Sequence, residues 1–148
     1  MPASQGLLAR PEIGPALAWT LAPLLAPDAV ASGYAEAFSP HAVDPATVAR
    51  GQLLYTRPGT LLASARDWAA LEGTFAALGA RFKEIAIPVE AISANQDQIV
   101  GPVHAAYLEA HVPGIHVTRL DGAGHQLMFS EPDDVVAAIE RALARAGR

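Results

Sequence analysis

The sequence predicts an α/β protein in which a helical segment precedes a βαβα unit with parallel strands. Three observations predict it. Apolar residues over the first 82 positions fall at helical spacing, β-friendly runs occur only after that point, and the residues between those runs read as one crossover helix. The expected organisation is a helical region over residues 1–82 and a βαβα part over residues 83–148.

Each element has its own signal. The opening stretch to Ala31 is apolar, and Ala29-Val30-Ala31 has the small-x-small look of a leader cleavage site. Against a leader, no Lys or Arg precedes Arg10, Glu12 is acidic, and Pro11, Pro15, Pro23 and Pro27 interrupt the apolar run. The uncharged stretch 13–27 is also shorter than the ~20 residues of a membrane span. Short helical pieces in a cytoplasmic protein without a membrane partner are expected. Residues 32–43 read as a loop marked by Ser32, Gly33, Ser39 and Pro40. Asp44-Pro45 supplies an N-cap and a first helical residue for a helix through Val48, Ala49, Gln52 and Leu53. Arg57-Pro58-Gly59 turns the chain into a long helix from about Thr60 to Leu78, with Gly79 as its stop. Leu61, Ala65, Trp68, Leu71, Phe75 and Leu78 form one stripe of it. Trp68 and Phe75 are expected in the core, the alternative being the lining of a substrate pocket.

The stretch from Ala86 to His125 organises the rest. Ile85, Ile87, Val89, Ala91 and Ile92 make a first strand bounded by Asn95, Gln96 and Asp97. Gly101 and Pro102 open a helix with Val103, Ala106, Tyr107 and Ala110 on one side, and Val112, Pro113 and Gly114 close it. Residues 115–120 form the second strand, which Asp121, Gly122, Ala123 and Gly124 break just before His125. In the last helix Ser130 or Glu131 is the cap and Pro132 lies in the first turn, with Asp133 and Asp134 at the positive end of the dipole and Arg141 and Arg145 near the negative end. Val135 or Val136, Ile139 and Leu143 are its expected buried stripe.

Asp97 and His125 therefore leave the same carboxyl edge of the sheet, where open α/β sheets bind ligands. They are the candidate acid and base. The plainer alternative makes Asp97 a loop acid receiving backbone amides and His125 a turn histidine. Asp121 is the alternative acid, although its place only four residues from His125 favours a role in the turn. His104 and His111 lie seven residues apart on one helix, ~10 Å along its axis and too far for one metal. His41 and His116 have no evident partner.

Composition removes other classes. The 148 residues are 51% hydrophobic and 17% charged, which excludes disorder. The net charge is −5, Lys83 is the only lysine, and the basic residues are scattered, so no nucleic acid partner is expected. Without cysteine there is no disulfide, thiolate zinc site or Cys nucleophile, and neither metal nor cofactor is expected.

Two parallel strands do not make a stable covered sheet by themselves. The ordered set of Pro88 before an apolar strand, Asp97 in a polar loop, Ile99-Val100 and Pro102, Pro113-Gly114, a strand, Gly122-Ala123-Gly124-His125 and a Glu131-Pro132 helix resembles the carboxyl-terminal third of an α/β-hydrolase. The match covers about residues 82–146, and the helical residues before it resemble that family's cap. Ala94 stands near a position where many relatives have glycine. The resemblance implies a partial α/β-hydrolase fold and a Ser-His-Asp triad, in which His125 takes the serine proton and Asp97 orients the imidazole. It further implies hydrolysis of a small, mostly apolar, ester-like substrate through an acyl-enzyme.

The nucleophile is missing. Of the six serines, Ser4, Ser32, Ser39, Ser64, Ser93 and Ser130, only Ser4 has a glycine two residues on, and no strand precedes it to make a Gly-x-Ser-x-Gly elbow. The expectation is a truncated hydrolase, inactive alone and complemented by a missing N-terminal half. The rival is a non-catalytic interaction module that pairs, or self-associates, through an exposed sheet edge.

Overall fold

The structure is a computed structural model and describes residues 3–147. It is a mixed helical fold with a small parallel sheet of two strands, α/β in the general sense. The chain divides into two units, Met1–Tyr34 with Val43–Ala77, and Ala35–Ala42 with Leu78–Arg148.

The first unit is helical. It holds α1 (Ala3–Leu8), α2 (Gly14–Thr20), most of α3 (Ala22–Phe38), α4 (Pro45–Tyr55) and α5 (Pro58–Glu72). α1 and α2 pack on α5, and the buried residues there are small: Ala18, Ala65 and Gly14. A Cβ on Gly14 would collide with the Leu8 carbonyl, so glycine sets how closely α1 and α2 approach. Asp44 caps α4 as its sequence position indicates, accepting from the Ala46 amide at 3.2 Å ahead of Pro45.

Four expectations for this region are corrected. The loop placed at 32–43 is mostly helix, because α3 runs on through Ser32 and Gly33 to Phe38. An exposed glycine inside a helix costs only about 1 kcal/mol, and α3 is tied down by Tyr34 lying over Gly51 and by the Gln52 amide donating to the Pro27 carbonyl at 2.9 Å. Pro58 opens α5 instead of sitting in a turn, with Arg57 as an extended N-cap. The long helix expected to Leu78 ends at Glu72; Gly73 and Thr74 break it, the Thr74 amide and hydroxyl both donating to Leu71 O at 2.8 Å, before α6 (Phe75–Ala80). Trp68 and Phe75 are 47% and 53% exposed, so they are not core. Close helix contact here runs through alanine and glycine, which leaves the larger rings outside it.

In the second unit a single 3-10 turn (Phe82–Glu84) leads to β1 (Glu90–Ala94), α7 (Val103–His111), β2 (His116–Leu120), α8 (Leu127–Ser130) and α9 (Pro132–Arg145). β1 and β2 are parallel, in register from Glu90 opposite His116 to Ala94 opposite Leu120. Pairing begins where the His116 amide donates to Val89 O at 3.0 Å, so Ile85 and Ile87, expected in the strand, lie before it, and Ile87 is exposed. Pro88, with no N–H, marks that boundary. The last bond of the ladder runs from the Asn95 amide to Leu120 O. Period-two alternation then turns the amides of Glu90, Ile92 and Ala94 away from β2, and among the described residues nothing pairs with that edge.

The helices flanking the sheet are rotated from the faces expected. α7 buries Ala105 and half-buries Leu108, and the same side carries Glu109, which makes a two-pronged ion pair with Arg119 of β2; Val103 and Tyr107 face outward. α9 buries Ala138 and half-buries Val135 and Ala142, and leaves Val136, Ile139 and Leu143 exposed. The rotation follows from charge. Arg141 Nε and Arg145 Nη1 donate to Glu90 at 3.1 and 2.6 Å, Arg141 Nη2 donates to Thr118 Oγ1 at 3.0 Å, and Arg145 Nη1 also reaches Val89 O at 3.0 Å. His116 Nδ1 completes the group 2.8 Å from Glu90, whose side chain is only 4% exposed. The Arg145 guanidinium, working against burial and helped by Arg141 and His116, holds the Glu90 carboxyl down at about 2.

Candidate active site

Two loops leave the carboxyl edge of the sheet side by side. Beyond the strands, the Asn95 amide donates to Leu120 O at 2.9 Å and the Gln96 amide to Ala123 O at 3.2 Å, so the loop after β1 is pinned to the loop after β2. Asn95 Nδ2 also donates to Asp121 Oδ1 at 2.5 Å, which gives Asp121 its turn role. Gly122, at φ +75°, takes the left-handed conformation that reverses the chain before His125.

This arrangement brings the two candidate residues together. Asp97 Oδ1 accepts from the amides of Ile99 and Val100, both at 2.8 Å, and Asp97 Oδ2 lies 3.0 Å from His125 Nδ1. The loop-acid geometry and the acid–base geometry are therefore both present, one on each carboxylate oxygen. Burial pushes the Asp97 carboxyl up, but the Val100 amide, the His125 ring and the Ile99 amide outweigh it, leaving the group below its ordinary value. An ionised Asp97 can only accept, so the proton is assigned to His125 Nδ1, and Nε2 of the neutral ring keeps a free lone pair. The Asp97 side chain is 10% exposed and that of His125 35%, and Nε2 has no hydrogen-bond partner among the described residues. Such a ring accepts a proton at Nε2 while the carboxylate stabilises the resulting cation.

The other polar residues have different work. His116 belongs to the Glu90 cluster, and His41 lies 3.8 Å from Glu131; neither partner was evident from sequence. His111 Nδ1 lies 2.7 Å from the Tyr107 carbonyl, its ring stacked on Tyr107. No group of three His, Cys, Asp or Glu among the described residues is placed to hold a metal. Ser39 Oγ accepts from Gln98 Nε2 at 3.2 Å and Ser130 Oγ donates to Gln126 O at 3.5 Å. No described serine side chain bonds to His125, and the side chain of Ser4 lies outside the described residues. No described helix is long and apolar enough to cross a membrane.

What fold and site define is an α/β unit carrying an oriented imidazole–carboxylate pair at the carboxyl ends of adjacent parallel strands. A scan against models of known protein families gives no match for this chain, and no curated protein matches it.

Proposed function

We propose that this chain supplies the acid and base of a serine hydrolase of the α/β-hydrolase type, with residues 1–82 as its cap and 83–148 as the last part of its core. The nucleophile elbow and oxyanion hole come from a polypeptide segment outside this chain, and the substrate is a small, mostly apolar ester or similar acyl compound. The observation that carries the reading is the bond from His125 Nδ1 to Asp97 Oδ2, made at the ends of adjacent parallel strands with Nε2 left open. An imidazole so held needs only a hydroxyl within reach of Nε2 to act as general base, a contribution of roughly 10²–10⁴ in rate.

The experiment compares the chain alone with the chain joined to a strand–Gly-x-Ser-x-Gly–helix segment, using 4-nitrophenyl acetate and a fluorophosphonate probe. Alone, it is expected to turn over no faster than its His125→Ala variant and to carry no labelled serine. Joined, it is expected to label at the elbow serine and to lose turnover in His125→Ala. His125-dependent turnover by the chain alone, or turnover of the joined protein indifferent to His125, overturns the proposal.

A second reading rests on the amides of Glu90 and Ile92, which are turned away from β2 and offer a template for another strand, as suits an interaction module. A tight homodimer in sedimentation, abolished by Ile92→Pro with the monomer still folded, is the result that favours it.

A further inference from the structure

We propose that the segment Ala35–Ala42 is a positioning element for His125, holding the histidine loop against the acid loop from a place in the chain more than eighty residues upstream. Its importance for catalysis rests on the reading of Asp97 and His125 as an acid–base pair; its geometry does not.

Contacts from this segment fall on both neighbours of His125. The Gln126 amide donates to Ala37 O at 3.2 Å. On the other side the Ser39 carbonyl lies against buried Gly124, in the space a Cβ would take, with Ala37 O 3.6 Å from that same position. The segment also reaches the acid loop, because Ser39 Oγ accepts from Gln98 Nε2 at 3.2 Å, one residue past Asp97. Two outer contacts anchor it. The rings of Phe38 and Phe129 lie 5.7 Å apart between centroids, and His41 Nε2 is 3.8 Å from Glu131 Oε1.

The main-chain bonds that continue from the sheet into the two loops end at the Gln96–Ala123 bond. Beyond it the histidine loop is held by this segment through main-chain groups, which fix position without adding a charge beside the ring. Glycine at 124 is then required by a carbonyl from elsewhere in the chain rather than by its own dihedrals.

The test reads the low-field proton resonance of an imidazole Nδ1–H bonded to a carboxylate, in the whole chain. Wild type is expected to show it and Asp97→Asn to lose it. Two variants disturb the segment by opposite means: Gly124→Ala adds a methyl against the Ser39 carbonyl, and Phe38→Ala removes an anchor without adding bulk. Both are expected to lose or broaden the resonance while the amide signals of β1 and β2 keep their positions. Glu109→Gln, which breaks the surface pair with Arg119, is the control expected to retain it. Retention of the resonance in Phe38→Ala or in a folded Gly124→Ala overturns the positioning role and leaves the acid–base pair standing. Absence of the resonance from wild type and Asp97→Asn alike removes the pair itself.

Discussion

Asp97 divides its work between two oxygens, and that division predicts how a substitution separates its roles. Asparagine at 97 keeps Oδ1 for the Ile99 and Val100 amides but turns an N–H₂ toward His125 Nδ1. Two donors then face each other unless the ring changes tautomer, which places the proton on Nε2, where the base must be free. Once a nucleophile is supplied, Asp97→Asn is expected to lower kcat about 10⁴-fold, as in the Ser-His-Asp template, with the far-UV circular dichroism unchanged. A carboxylate serving only the loop predicts no loss. Asp97 and His125 were legible in the sequence because each follows an apolar run and sits among turn-forming residues. Glu90 was not, since a lone acid in a strand does not reveal partners 26, 51 and 55 residues away.

The final helix is the element where charge decides which side is inside. The apolar stripe of Val135 or Val136, Ile139 and Leu143 suggested one face, and of these only Val135 lies on the side that the reach of Arg141 and Arg145 to Glu90 selected. Spacing reveals a stripe but not the ion pair that overrides it. Between the ordinary carboxyl value of 4.5 and about 2, the unfolded chain binds the Glu90 proton and the native chain does not. The stability this cluster contributes is therefore present above pH 4.5 and lost as pH falls toward about 2. Urea midpoints measured across that range should fall more steeply in wild type than in Glu90→Gln, and equal slopes contradict the assignment. On the buried side, Ala138 is only 5% exposed where α9 packs on β1. Ala138→Leu is expected to cost about 1–3 kcal/mol in denaturant unfolding, whereas Ile139→Gln on the open stripe should change the stability of the chain alone by no more than about 0.5 kcal/mol.

For the whole molecule, the sequence led to the correct class, parallel strands joined by a helix and preceded by helices, because periodicity reports element type directly. It did not reveal how thin the interior is. The buried hydrophobic residues among those described are alanines and Val112, and no large side chain there is fully buried. Half of the residues are apolar, yet leucines, tryptophans and phenylalanines of both units face outward. Composition reports how much apolar surface exists, not whether this chain has the neighbours to cover it.

The one-sided pairing of β1 gives that strand a distinctive isotopic fingerprint. In deuterated solvent the N–H groups of Ala91, Ser93 and Asn95, turned toward β2, should exchange slowly, and those of Glu90 and Ile92, turned away from it on half-buried residues, quickly, a slow–fast rhythm along a single strand. A polypeptide docking along the bare flank would silence the fast members of the series. The same five amides thus record whether the strand stands at a border or in the interior of a larger sheet.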